Sequence, residues 1–302
     1  MSTATVPTPI PHSSPQRDTT DLGRLLVHCP DQPGIVSAVG TFLTKHGANI
    51  VALDQHSTED PSEVFIQRTE FRLPGLSAAR DDLQSAFTTE VATQFGMDFR
   101  LTEVSKPKRV AIMVSKTDHC VLDLLWRSRR GELDVTVAMV ISNHPDLAEQ
   151  IRPFGVPFFY TPATRETRAE AEARQLELLR NNVDLVVLAR YMQVITPDFL
   201  AQVECPLINI HHSFLPAFIG AGPYQKAKQR GVKLVGATAH YVTAELDEGP
   251  IIEQDVVRVN HGHTTADLVR LGADVERTVL SRAVRWHCED RVARNGNTTI
   301  VF

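Results

Sequence analysis

Asn209 and His211 stand two residues apart in Asn209-Ile-His-His-Ser-Phe-Leu-Pro216, at the end of an apolar run. Side chains alternate along a strand, so this amide and imidazole share one face, and His212 points elsewhere if the strand persists. The pair suits acyl-group chemistry. An amide N–H can donate to the oxyanion of a tetrahedral intermediate, and an imidazole moves protons near neutral pH. A carboxylate would orient the imidazole and favour its protonated form. Asp247 is placed to supply one, in His240-Tyr-Val-Thr-Ala-Glu-Leu-Asp-Glu-Gly-Pro250, where a strand runs into the Gly249-Pro250 turn. Each half also has a plainer explanation. Most Asn-x-His triplets are ordinary strand ends, and Asp247 and Glu248 read equally as solvated turn residues.

Other reactive combinations are weaker. His119-Cys120 suggests a thiol nucleophile, but nothing else marks a thiol enzyme, and Cys120 reads as a small packed residue at a helix start. His261-Gly-His263 and His211-His212 lack a carboxylate or cysteine at ligand spacing, so no metal is expected. Arg127-Ser-Arg-Arg130 reads as a solvated helix end. The turn Ser115-Lys-Thr-Asp-His119 follows an apolar strand but has no glycine, and neither G-x-G-x-x-G nor G-x-x-x-x-G-K-[ST] occurs. A dinucleotide or ATP cofactor is therefore not expected.

Two domains are expected to position these groups. Arg24–Cys29 reads as a strand, and Asp31-Gln-Pro-Gly34 opens a helix with Ile35, Val36, Val39, Phe42 and Leu43 on its apolar face. Strands follow over Ala48–Ser57 and Glu63–Leu73, joined by Thr58–Ser62. A second helix begins at Ser77 as N-cap, with Leu83, Phe87 and Val91 as its stripe, and Met97, Phe99 and Leu101 alternate on a last strand. The order is βαββαβ, a ferredoxin-like sandwich. After Ser105–Arg109 the pattern changes. Apolar strands over 110–114, 135–141, 158–160, 185–189 and 207–210 are mostly separated by helical stretches, which predicts a Rossmann-like, largely parallel α/β sheet with helices on both faces. Val235–Val242 and Ile251–Val259 extend it, and a closing helix from Thr264 carries Leu268, Leu271, Val275, Val279 and Trp286 on one stripe. The expected divisions are a disordered lead-in at 1–20, a first domain at 21–104, a join at 105–109 and a second domain at 110–302.

With Asp31-Gln-Pro-Gly34-Ile35 after its first strand, the first domain resembles an ACT domain. Such domains commonly bind small amino acids, often at a subunit interface. The resemblance implies an effector site near Asp31, Gly34 and Asn49, or alternatively a module that only holds subunits together. From Lys108 to Phe302 the chain resembles the folate-dependent formyltransferase and deformylase family, through Asn209-Ile-His211 and Asp247 together. The resemblance makes Asn209, His211 and Asp247 the catalytic three and places His240 and Val242 in the same pocket. The folate ring is expected to pack against Leu188-Ala-Arg-Tyr-Met-Gln193, with Arg190, Tyr191, Met192 and Val194 touching substrate.

His211-His-Ser-Phe-Leu-Pro-Ala-Phe-Ile-Gly-Ala221, Pro223-Tyr224 and Gly236-Ala-Thr-Ala-His-Tyr-Val242 are most similar to the deformylase branch. Gly222 departs from it, standing where a basic residue is expected. This branch implies hydrolysis of 10-formyltetrahydrofolate to formate and tetrahydrofolate, supplying formate for purine biosynthesis and balancing one-carbon pools, without metal or nucleotide. The alternative within the family is formyl transfer to an amine such as glycinamide ribonucleotide. That reaction needs the phosphate site that the family's glycine-rich first turn supplies, and Ser115–His119 does not resemble it. A transfer-RNA formyltransferase would need a nucleic-acid surface. A non-enzymatic amino-acid sensor would not need all three catalytic residue types.

Composition agrees with a small-molecule enzyme. The 302 residues are 42% hydrophobic and 22% charged, which suits a soluble globular chain. The formal net charge of −5 argues against a nucleic-acid partner. No apolar run approaches a membrane span. Met1–Thr20 has no apolar centre and does not read as a secretory signal. Cys29, Cys120, Cys205 and Cys288 are scattered, as in a reducing cytoplasm. A homo-oligomer, dimer or tetramer, is expected from the ACT resemblance.

Overall fold

Leu25, Val27 and Cys29 alternate along β1 (Leu22–Pro30) and are buried on one face of a four-stranded sheet, against the helices that follow. The computed structural model describes residues 18–59, 63–164, 166–216 and 223–302. The expected lead-in to residue 17, and part of the join at 58–62, lie outside them.

β1 is followed by α1 (Ile35–Lys45), β2 (Asn49–Ser57), β3 (Val64–Arg72), α2 (Leu76–Phe87), the short α3 (Thr93–Phe95) and β4 (Asp98–Glu103). The sheet order β2-β3-β1-β4, with antiparallel pairs throughout, is the ferredoxin-like arrangement expected. Two local expectations need correction. Val36 is 40% exposed, because the buried stripe of α1 is Ile35, Val39, Phe42 and Leu43. The cap of α2 is Gly75 and not Ser77, since the chain enters that helix through a left-handed backbone (φ +75°) that glycine adopts without strain.

β5 starts at Lys108, earlier than expected, and runs to Val114. After it come α4 (His119–Arg129), β6 (Val135–Ser142), α5 (Ala148–Ile151), β7 (Phe158–Tyr160), α6 (Arg168–Leu179), β8 (Leu185–Leu188), α7 (Pro197–Gln202), β9 (Leu207–His211), α8 (Pro223–Arg230), β10 (Leu234–Tyr241), β11 (Ile251–Arg258) and α9 (Thr265–Cys288). The sheet order is β11-β10-β9-β8-β5-β6-β7. β5 to β9 are mutually parallel, and β10 and β11 form an antiparallel edge. The apolar runs of β5 and β8 are buried on both faces, as a sheet covered by helices requires.

α9 begins with a capping box of Thr264 and Asp267. Its buried face is Leu268, Gly272, Glu276, Val279, Ala283 and His287; Leu271, Val275 and Trp286 are only half-buried, so the expected stripe is rotated slightly away from the core. A hairpin of β12 (Val292–Asn295) and β13 (Thr298–Val301) follows, which the sequence reading did not anticipate despite Asn295-Gly296. Among the described residues no helix is long and apolar enough to cross a membrane.

The two domains meet at the end of α9. Asp290, 2% exposed, accepts from Thr102 (2.8 Å) and Lys108 and lies 3.3 Å from Arg100 and 3.9 Å from Arg24. Arg68 of β3 donates to the carbonyls of Glu289 and Asp290. The carboxyl is held below its ordinary range by Lys108 and Arg100 despite the opposing effect of burial. Asp290→Ala would leave Lys108 and Arg100 without this anion at the domain boundary, while Arg24 and Arg68 keep Glu70. The expected cost is about 3 kcal/mol, measured by urea unfolding; a loss below about 1 kcal/mol would mean the network is replaceable by water.

Candidate active site

The antiparallel pairing of β9 with β10 sets Asn209 directly opposite His240, and His211 opposite Thr238. Asn209, His211 and His240 therefore project from one face, at the C-terminal end of β9 where ligands of open α/β sheets bind. A register shift between β10 and β11 at Ala239/His240 locally alters the direction of the strand beside His240. Past β10 the chain doubles back. Tyr241 N donates to Pro250 O (2.9 Å), and a Cβ on Gly249 would sit 1.8 Å from Tyr241 O, so only glycine lets the turn approach the strand this closely. The fold-back points Asp247 at the imidazoles from a left-handed backbone (φ +58°). Such strained conformations for non-glycine residues collect at functional sites.

Asp247 Oδ2 lies 3.3 Å from His211 Nδ1, and its Oδ1 lies 3.7 Å from His240 Nε2. Hydrogen bonding from His211 is the largest influence holding the Asp247 carboxyl well below the usual carboxylate range. His240 Nδ1 is 2.9 Å from Tyr241 O, a pure acceptor, so Nδ1 carries a proton. Its Nε2 then accepts from Asn209 Nδ2 at 3.2 Å, the shorter of its two contacts. One amide hydrogen of Asn209 is used in this way, and no partner takes the second among the described residues. His211 is 6% exposed, and with Nδ1 facing a carboxylate its Nε2 is buried without a hydrogen-bond partner among the described residues. An imidazole held in one tautomer by a carboxylate, with its other nitrogen uncommitted, is equipped to shuttle a proton.

The strand ends at His211, so strand alternation does not carry His212 away; its ring lies 5.3 Å from that of His211 and lines the same cavity. Burial, reinforced by Arg190, pushes His212 down to about 4, so it stays neutral in the physiological range. His212→Asn is expected to slow turnover by less than about tenfold, against a hundredfold or more for His211→Asn. Steady-state rates on the two variants check this, and the reverse ranking would move the proton shuttle to His212.

Asn209, His211 and Asp247 line a cavity of about 370 Å³ together with Arg190, Tyr191, Met192, Val194, His240 and Val242. All nine residues expected at the site thus come together. Their contributions differ. Met192 (59% exposed), Val194 (54%) and the unanticipated Leu246 (63%) leave apolar surface at the cavity, suited to a flat ring. Tyr191 is buried and its hydroxyl accepts from Gln175 Nε2 (3.0 Å), so it contributes chiefly wall. A larger cavity, about 540 Å³, lies where the first domain meets β12; it contains none of Asn209, His211 and Asp247.

Behind His212 lies a charged cluster that the sequence reading missed. Glu276, 2% exposed, is 2.8 Å from His119 Nε2 and 2.7 Å from the Tyr224 hydroxyl, and its Oε2 is 3.6 Å from Arg190 Nε. A carboxylate on the buried face of an amphipathic helix was the available signal. His119, Cys120 and Glu276 could reach one metal ion, their donor atoms lying within 4.8 Å of one another. Glu276 is already shared among its three partners, however, and burial raises the Cys120 thiol well above its ordinary range, as expected for a packed residue.

The three residues expected at an effector site lie in the first domain. Asp31 is exposed, with its N–H donating to Glu63 O; Gly34 (φ +99°) precedes α1; and Asn49 opens the exposed edge strand β2. No hydrogen bond joins them among the described residues. Gly222, the departure near the pocket mouth, lies outside the described residues.

The formyl transferase family model matches residues 108–284, and the ACT domain model matches residues 23–86. Formyltetrahydrofolate deformylase of Mycobacterium tuberculosis (strain ATCC 25618 / H37Rv) is 68% identical over 282 residues, spanning 93% of this chain and 91% of that protein. The crystal structure of a formyltetrahydrofolate deformylase from Pseudomonas syringae pv. tomato superposes with a TM-score of 0.89 at 46% identity, covering 93% of this chain and 94% of that one. Glycinamide ribonucleotide transformylase 1 from Symbiobacterium toebii reaches a TM-score of 0.61 at 34% identity and covers only 65% of this chain, though 94% of its own. The match in both domains, over nearly the whole length, places this chain in the formyltetrahydrofolate deformylase family.

Proposed function

We propose that this chain hydrolyses 10-formyltetrahydrofolate to formate and tetrahydrofolate, with Asn209, His211 and Asp247 as its catalytic residues. The observation that carries the reading is the uncommitted His211 Nε2 beside a half-free amide, with an ionised carboxylate on the opposite side of the imidazole. The folate ring packs on Met192, Val194 and Leu246. Water attacks the formyl carbon as His211 Nε2 takes its proton. The carbonyl electron pair moves to oxygen, where the second Asn209 amide hydrogen meets it. Asp247 stabilises the imidazolium so formed. As the oxyanion collapses, the C–N10 bond breaks, His211 returns the proton to N10, and formate leaves. No metal, nucleotide or redox group enters these steps.

The formate serves purine biosynthesis and the reaction balances one-carbon pools. We place the enzyme in the cytoplasm as a homo-oligomer, with no nucleic-acid or membrane partner. An amino acid near Asp31, Gly34 and Asn49 is the candidate effector, through a helix start whose amides can hold a carboxylate. Incubating the purified chain with 10-formyltetrahydrofolate, with and without glycinamide ribonucleotide, tests the reading. Formate is expected in both cases at the same rate. Formylated ribonucleotide appearing in place of formate would make the chain a transferase.

A further inference from the structure

The site has an open side and a closed side. Met192, Val194 and Leu246 line the open one. The closed side lies toward the turn after β5, a usual ligand position in open α/β sheets. There Ser115 is 3% exposed and already committed, donating to Asn143 Oδ1 (2.7 Å) and accepting from Met192 N (2.9 Å). Ser115 N in turn donates to Arg190 O, which fixes the arginine at this turn.

Arg190 is held in a left-handed backbone (φ +63°), a conformation that glycine would adopt without strain. Its side chain is only 14% exposed. Glu276 holds it, and is itself held by His119 and Tyr224. Tyr224 in turn presses on α9 so closely that a Cβ on Gly272 would sit 1.9 Å from its hydroxyl. Glu276 restrains Arg190 by charge, across 3.6 Å, and both Arg190 Nε and Nη1 are buried without a hydrogen-bond partner among the described residues. A nucleophile reaching the formyl carbon from this side meets a fixed guanidinium. Water is small and neutral enough to fit. An amine is bulkier, and its protonated form is repelled by a buried cation.

We infer that Arg190, locked by Glu276, is a specificity-determining residue that restricts the nucleophile to water; the inference rests on the hydrolytic reading above. When the arginine is removed, an amine nitrogen takes the place of the water oxygen. It attacks the formyl carbon and loses its proton to His211, the C–N10 bond breaks, N10 takes that proton, and a formamide leaves in place of formate.

The test is product partition in the full-length enzyme given 10-formyltetrahydrofolate and excess glycinamide near pH 8, where an amine next to a carbonyl is partly neutral. The ratio of N-formylglycinamide to formate is measured for the wild type, Arg190→Gly and Arg190→Asn. Both replacements suit the left-handed backbone, so a folded protein is expected from at least one. The wild type should give formate with N-formylglycinamide at background, and the variants should raise the ratio about tenfold or more above that background. A purely structural role for Arg190 would change rate or melting temperature but not this ratio. An unchanged ratio in the folded variants, or formyl transfer to glycinamide by the wild type, overturns the inference while leaving hydrolysis standing. A wild type that releases no formate removes the hydrolytic reading and the inference with it.

Discussion

Asp247→Ala is expected to lower kcat for formate release by about four orders of magnitude, as loss of the carboxylate does in other imidazole–carboxylate systems. Two functions disappear together. His211 Nδ1 loses the acceptor that fixes its tautomer, and the imidazolium formed during water attack loses its counter-charge. Because Asp247 sits on an exposed-side turn whose path is set by Gly249 and Pro250, the fold should survive, and circular dichroism on the variant verifies this. The pH dependence has a definite sign. A carboxyl depressed in the folded state contributes stability above its unfolded value near pH 4 and loses it only as pH falls through the lower native value. Asp247 therefore stays ionised across neutral and mildly acidic pH, and any acid limb of the wild-type rate profile above about pH 5 must come from another group. A variant within tenfold of wild type would remove Asp247 from the mechanism.

Asn209→Ala is expected to lower kcat by about a hundredfold to a thousandfold with little change in KM, the usual cost of removing one oxyanion donor. The separation follows from when the bond matters. The amide hydrogen meets charge that develops only after water attacks, so its loss weakens the transition state more than the bound substrate. Steady-state kinetics resolve the two. A large rise in KM with kcat unchanged would make Asn209 a substrate-positioning group instead.

Much of this site was legible in the sequence because its key spacing is local. Asn209 and His211 need only strand alternation to share a face, and β9 provides it through His211. The approach of Asp247 was suggested by the Gly249-Pro250 turn, but its distance was not, since it depends on the fold-back that Gly249 permits against Tyr241. The pairing of Asn209 with His240 depends on the register of β9 and β10, to which no spacing within either strand points. Strand order decides such neighbours, and it becomes visible only when the sheet is assembled. The Glu276 cluster shows the same limit. Its members come from α4, α8, α9 and the segment after β8, so only tertiary packing unites them. The alternation that would turn His212 away does not apply, because the strand stops one residue before it.

The domain order was legible from the change of period after Ser105, where half-buried strands give way to fully apolar ones. The closing helix was placed correctly at its start, where Thr264 and Asp267 form the cap, but its stripe was misaligned. An apolar stripe alone does not define this face, because it also buries Gly272, Glu276 and His287, each with a specific neighbour.

The most direct test of hydrolysis is the fate of solvent oxygen. The purified chain is incubated with 10-formyltetrahydrofolate in H2(18)O without any amine, and formate and tetrahydrofolate are quantified together. The expected result is equal amounts of both products, with one solvent oxygen in each formate, and neither product above background from Asp247→Ala. Formate that appears only when an amine is added, or formate that carries no solvent oxygen, would contradict water as the nucleophile.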